Sequence, residues 1–364
     1  MISKRLKGQN KSIIRQIVDS APQNSVNLGL GELKISTFSQ KNDIISEIVK
    51  NEDIRYTPNA GLPGLIEEIK KYYNQQTEYV CVTNGAEETI FATLFSLLDS
   101  GDEILLADPD YPAYYSIAKL LEAVPKRFSL DPDKNFQLDR SSLQNSVTSH
   151  TKAIIISNPS NPLGITYSQT DLDFIIKIAN ENNLVLIVDE IYNELILKDR
   201  RKSLIDQMDD IVVVSGLSKA YQLTGWRLGW AITKQAHLAR AITVSHQYIS
   251  TCAGYVSQRL AIEILQQHQE HSLTSLRVKL QQNKVLACSL IENKSNWKIL
   301  PSQAAPYLFI KIELDSLEFA KQKATEGVIV VPGTAFGKNG AGWIRLNYAV
   351  PENQLVKGLK LLIK

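Results

Sequence analysis

Apolar and polar positions divide this chain into two textures. Between about residue 78 and residue 233, short apolar runs alternate with amphipathic stretches. The runs "EYVCVTNG", "DEILLAD", "VPKRFSL", "TKAIIISN", "LVLIVDE", "DIVVVSG" and "GWAIT" predict seven strands. Between them, "EETIFATLFSLL", "YPAYYSIAKLLEA" and "SQTDLDFIIKIANENN" predict helices. Unalternating runs such as "LVLIV" fit strands covered on both faces. Strand–helix alternation predicts an α/β fold, a mostly parallel seven-stranded sheet flanked by helices.

After about residue 250 a long helical region, "GYVSQRLAIEILQQHQEHSLTSLRVKLQQNKVLACSLIEN", precedes the short mixed segments "APYLFIKIEL", "VIVVPGTAFG" and "GWIRLNYA". The expected organisation is a large domain over residues 32–247. Residues 1–31 and 248–364 form a smaller α+β domain, since the first segment precedes the alternating unit.

Composition narrows the class. With 364 residues, 44% of them hydrophobic, the chain can bury a large core and form more than one domain. Lys and Arg number 40 against 38 Asp and Glu, so no basic excess points to nucleic acid. The longest apolar stretches are too short to cross a bilayer. "MISKRLKGQNKSII" lacks the apolar core of a signal peptide, so the cytoplasm is the expected compartment. Cys81, Cys252 and Cys288 show no CxxC spacing and read as reduced thiols. His268 and His271, in "QQHQEHS", read as a solvated helix face rather than a metal pair, and no metal is expected.

In open α/β sheets ligands bind beyond the carboxyl ends of the strands. The polar residues at those ends are Asn84 and Gly85, Asp108 and Tyr111, the turn "SNPSNPLG", the segment "VDEIY", and Lys219 with Arg227. Each is a weak signal alone; together they make one pocket.

Three of these segments, "NPSNPLG", "VDEIY" and "GLSKAYQLTGWRLG", in this order and spacing, resemble the fold-type I enzymes that use pyridoxal 5′-phosphate (PLP). The resemblance is to the class I/II, aspartate aminotransferase-like family, and it covers nearly the whole chain. It implies that Lys219 forms the internal aldimine with PLP and then serves as general base at the substrate Cα. Asp189 is implied to face the pyridine nitrogen and keep it protonated. Tyr192 and Asn161 are implied to reach the phenolic oxygen, with Asn161 also near the substrate carboxylate. The turn at Gly85, Ala86 and Glu87 reads as a helix N-terminus able to meet the phosphate, with Arg227 adding charge. Tyr111 corresponds to the aromatic that stacks on the cofactor ring. Gly31 corresponds to a backbone contact with substrate, and Arg345 to the arginine that clamps the α-carboxylate. Tyr56 corresponds to a tyrosine reaching the phosphate of a neighbouring subunit, which implies a homodimer with shared active sites.

The match has departures. Gln222 stands where a small residue is usual, Leu33 replaces a proline, and Gly216 replaces a serine whose role falls to Ser215 or Ser218. Ala86 replaces the lysine that many aspartate-specific relatives aim at the distal carboxylate, which argues against strict aspartate specificity. The implied activity is amino transfer between an L-amino acid and a 2-oxo acid. A PLP-dependent lyase or decarboxylase on the same scaffold is the alternative. A non-enzymatic regulator ranks last, because Lys219 is intact.

Overall fold

All seven predicted runs are strands of one sheet in the computed structural model, which describes residues 2–7, 11–35, 41–74, 78–197, 202–267, 270–293 and 295–364. They are β1 (Tyr79–Thr83), β2 (Glu103–Asp108), β3 (Val124–Asp131), β5 (Thr151–Ser157), β6 (Val185–Asp189), β7 (Ile211–Gly216) and β8 (Gly229–Thr233), with β4 (Gln137–Leu138) between β3 and β5. The sheet therefore has eight strands, in the order β1-β8-β7-β6-β5-β2-β3-β4. The extra strand, β4, pairs antiparallel with β3 through two residues, too few to leave a periodic signal.

Strands β3, β2, β5, β6 and β7 run parallel. β8 is antiparallel to β7, and β1 is antiparallel to β8. β1 thus points the same way as the parallel set, and the carboxyl ends of β1, β2, β5, β6 and β7 open on one edge. The lack of alternation in β6 has a direct cause. Leu186 and Val188 pack into one hydrophobic cluster and Ile187 into another, on opposite faces of the sheet.

The predicted crossover helices are present as α1 (Ala86–Leu97), α2 (Pro112–Leu120) and α3 (Gln169–Glu181). Helix α4 (Ala236–Ser250), which packs on α1, was not foreseen. Its solvent side carries Val244, Tyr248 and Ile249, so its apolar residues do not gather into one stripe. The long helical region divides into α5 (Tyr255–Gln266) and α6 (Glu270–Glu292). His268 and the side chain of His271 lie outside the described residues.

A second, antiparallel sheet holds β9 (Lys298–Ile299), β10 (Tyr307–Lys311), β11 (Val331–Pro332) and β12 (Trp343–Asn347), in the order β9-β10-β12-β11. Near the N-terminus, Val26–Asn27 pairs in parallel with Val328–Ile329. Asn347 then laces the following segment to β12. Its Nδ2 donates to the carbonyls of Leu30 (2.7 Å) and Glu32 (2.8 Å), and its backbone N–H to Leu28 (2.7 Å). These bonds carry Gly29 and Gly31 to the edge where the large-sheet strands end. No helix among the described residues is long and apolar enough to cross a membrane.

Candidate active site

Asp189 ends β6 and is 5% exposed. Its Oδ2 accepts a hydrogen bond from the Tyr114 hydroxyl (2.7 Å), and its Oδ1 accepts the Ile191 N–H (3.1 Å). Burial pushes its carboxyl up to about 6, against the opposing pull of those two donors and of the Lys219 charge. Among the described residues no cation is bonded to it. Glu190, one residue on, turns to the other face and accepts the Leu204 N–H at 2.8 Å.

Lys219 sits in the turn after β7, half-buried, with Nζ donating to the Gly31 carbonyl at 2.7 Å. The ammonium lies 5.8 Å from the centre of the Tyr192 ring. Tyr192 in turn shares a 2.7 Å hydroxyl–hydroxyl hydrogen bond with Tyr307. Burial holds the Tyr192 phenol well above the usual range, and the neighbouring Tyr307 adds to the effect.

Arg345 lies in the middle of β12 and is 3% exposed. Nη1 donates to Asn161 Oδ1 and Nη2 to the Gly29 carbonyl, both at 2.6 Å. The guanidinium carbon is 4.3 Å from the Tyr307 ring centre and 4.8 Å from that of Phe336. Nε is buried without a hydrogen-bond partner among the described residues, a donor position left over in a planar cation that suits a carboxylate.

At the end of β1, Gly85 takes φ +100°, and a Cβ there would come within 2.5 Å of Arg227 Nη2. The bare glycine lets the guanidinium rest against the turn that opens α1 at Ala86. Glu87 accepts the Tyr111 hydroxyl at 2.8 Å, which brings the ends of β1 and β2 together. Tyr56 is 88% exposed and stands outside this buried cluster within one chain.

Other strand-end residues have structural partners. Asp108 accepts the backbone N–H groups of Lys338 and Asn339, both at 3.1 Å, so its carboxylate braces the segment after β11 rather than lining the cluster. Leu33, in the family's proline position, is simply buried, and Gln222 takes a left-handed φ of 57°.

Sequence reasoning missed Tyr114, Tyr307, Gly29 and Asp110. Tyr114 and Tyr307 sit in apolar stretches and read as core, which they also are. Asp110 is 3% exposed, its Oδ2 has no partner among the described residues, and burial drives its carboxyl well up. The only signal for it was its place just past the end of β2.

The arrangement fits the expected cofactor. A buried carboxylate without a bonded cation complements a protonated ring nitrogen, and the Lys219 amine lies at the same edge. The cradle formed by Gly85 and Arg227 at a helix N-terminus complements a phosphate. Among the described residues, no group of three or more His, Cys, Asp or Glu side chains is placed to hold a metal ion.

Known proteins resemble the chain over its full extent. The family model described as aminotransferase class I and II matches residues 23–362. A probable aspartate aminotransferase of Methanocaldococcus jannaschii is 32% identical, with 100% of this chain and 99% of the relative aligned. An aspartate aminotransferase of Pyrococcus horikoshii is 28% identical across 100% of this chain and 96% of its own. The solved structure of N-succinyldiaminopimelate aminotransferase from Mycobacterium tuberculosis superposes with a TM-score of 0.93 at 26% identity, covering 100% of this chain and 99% of that one. Motifs, sheet order and whole-length similarity agree: the chain belongs to the class I and II aminotransferases, enzymes of fold type I that work with pyridoxal 5′-phosphate.

Proposed function

We propose that this aminotransferase exchanges an amino group between an L-amino acid and a 2-oxo acid at the cluster of Lys219, Asp189 and Arg345. One observation carries the assignment. A carboxylate with 5% exposure, bonded to no cation among the described residues, shares an edge of the sheet with a lysine amine whose hydrogen-bond partner is the Gly31 carbonyl.

The chemistry the bound cofactor supplies is withdrawal of electrons from the substrate Cα. The chain's residues do the rest. Asp189 holds a proton on the ring nitrogen, and its burial strengthens that pairing. Tyr192 and Asn161 would hold the cofactor ring by hydrogen bonds, and Tyr111 would pack against it. The Gly85, Ala86 and Glu87 turn holds the phosphate with Arg227. Ser215 or Ser218, both buried at or just beyond the end of β7, takes the place of the family's serine. Arg345 binds the α-carboxylate beside Asn161 and Gly31, and Lys219 Nζ moves a proton from Cα. These assignments rest on the family motifs and on the contacts described above.

Ala86 offers no cation to a distal carboxylate, which supports a substrate range not confined to aspartate. Tyr56 (88% exposed), Tyr248 (83%) and Phe95 (56%) support a two-fold partner that completes the phosphate site with Tyr56. The pairing of Val26–Asn27 with Val328–Ile329 supports a small domain of residues 1–31 and 248–364 beside a large one of 32–247. Three separate free thiols support a cytoplasmic setting.

The test is a spectral screen of the purified yellow protein against the common amino acids. Transamination requires that an amino acid abolish the visible band and that a 2-oxo acid restore it. Release of ammonia or CO₂ without that exchange would favour the lyase or decarboxylase reading. Light scattering that shows monomer alone under working conditions would overturn the shared site.

A further inference from the structure

Tyr307 is the residue through which the two halves of the cluster touch. It begins β10, is 1% exposed, and was not among the residues the motifs single out. Its ring lies 4.3 Å from the Arg345 guanidinium carbon. Its hydroxyl is bonded to that of Tyr192 at 2.7 Å, with the two rings edge to face at 5.6 Å. The Gly31 backbone passes so close that a Cβ there would run into the Tyr307 hydroxyl, and the same Cβ would lie 3.6 Å from Lys219 Nζ. One buried side chain thus meets the carboxylate clamp, the phenol beside the cofactor, and the backbone that receives the lysine.

We propose that Tyr307 is a positioning residue that couples the Arg345 clamp to the Tyr192 hydroxyl, its ring fixing the guanidinium and its own proton engaging Tyr192. The idea rests on the assignment of Tyr192 and Arg345 above. The ring face attracts the cation and limits its rotation, so the two Nη donors stay on Asn161 and Gly29. With Tyr307 donating to the Tyr192 oxygen, the Tyr192 proton is committed to the next acceptor, which under the proposed assignment is the phenolic oxygen of the cofactor. Chained hydrogen bonds polarise one another, so Tyr192 becomes the stronger donor. A donor to that oxygen draws off electron density and lowers the pH at which the chromophore releases its proton.

The test is Tyr307→Phe, which keeps the ring and removes the hydroxyl, compared with Tyr192→Phe and the double variant as holoenzymes. Wild type is first shown to be yellow and to exchange amino groups; failure there sinks the functional assignment and not this inference. In Tyr307→Phe the pH midpoint of the visible band is expected to rise by about half a unit to one unit, the size of one net hydrogen bond. Half-saturation by amino acid is expected to stay within about twofold, since the ring under Arg345 remains. In the Tyr192→Phe background the same change is expected to move the midpoint no further. Three results would overturn the proposal: an unmoved midpoint in Tyr307→Phe, an additive shift in the double variant, or a loss of about tenfold in half-saturation from the hydroxyl alone.

Discussion

Tyr114, on α2, donates its hydroxyl to Asp189 Oδ2 at the end of β6, and the 2.7 Å bond joins two residues 75 positions apart. It is one of two donors that make a buried carboxylate tolerable in the cofactor-free protein. Hydrogen bonds to charged groups contribute about 1.5–3 kcal/mol. Tyr114→Phe is therefore expected to lower the stability of the cofactor-free protein at pH 8 by an amount of that order, and to weaken cofactor uptake. Equal denaturation midpoints for the two proteins would show that the hydroxyl does not support Asp189.

The elevated Asp189 carboxyl has a consequence for stability. Its folded value, about 6, lies above the ordinary value of 3.8, so the native state holds the proton more tightly than the unfolded chain. The sign is the reverse of a salt-bridged Asp: stability from this group is present at low pH and is lost as pH rises from about 4 to about 6. The loss is on the order of 3 kcal/mol. In the cofactor-free protein, Asp189→Asn should match wild type near pH 4 and exceed it near pH 8, while binding cofactor less tightly. Urea denaturation at the two pH values checks this, and a variant less stable at pH 8 would contradict the account.

Glu190 provides a control on the opposite face. Burial raises its carboxyl from 4.5 to about 7, and its Oε2 has no hydrogen-bond partner among the described residues. The sign is the same, with stability lost as pH rises from about 4.5 to about 7. Glu190→Gln keeps an acceptor for the Leu204 N–H. We expect a flatter stability profile across that window and no change in the visible spectrum of the holoenzyme. A spectral change would place Glu190 in contact with the cofactor.

Arg345 spans two acceptors, Asn161 Oδ1 and the Gly29 carbonyl, through the fork of a planar cation. Lysine preserves the charge but not the fork. Arg345→Lys should raise the amino acid concentration for half-saturation by roughly tenfold to a hundredfold, in keeping with lost charge-assisted bonds, and leave the chromophore in place. Steady-state kinetics and an absorption spectrum of the same sample decide the matter. Unchanged half-saturation would remove Arg345 from the substrate site.

The strand-end residues were legible because a strand's carboxyl end can be placed from its apolar run, and parallel strands bring such ends to one edge. Asp189, Asn161, Lys219 and the Gly85 turn could be found that way, since each lies within a few residues of a recognisable strand. Tyr307 and Tyr114 could not. Their hydroxyls find partners 115 and 75 positions away, and the surrounding sequence is as apolar as any core segment. Asp108 was misplaced for the same reason: its partners, Lys338 and Asn339, come from a distant part of the chain.

Local pattern by itself determined the seven main strands, their crossover helices, and which charged side chains stand where those strands stop. Period and composition act over a few residues and so specify each element and its buried faces. Only the tertiary structure decided that the N-terminal segment and β12 meet the large-sheet edge, setting Gly29, Gly31, Tyr307 and Arg345 against Lys219 and Asn161. Those contacts depend on how whole elements dock, and a few ångströms between docked surfaces separate a hydrogen bond from none.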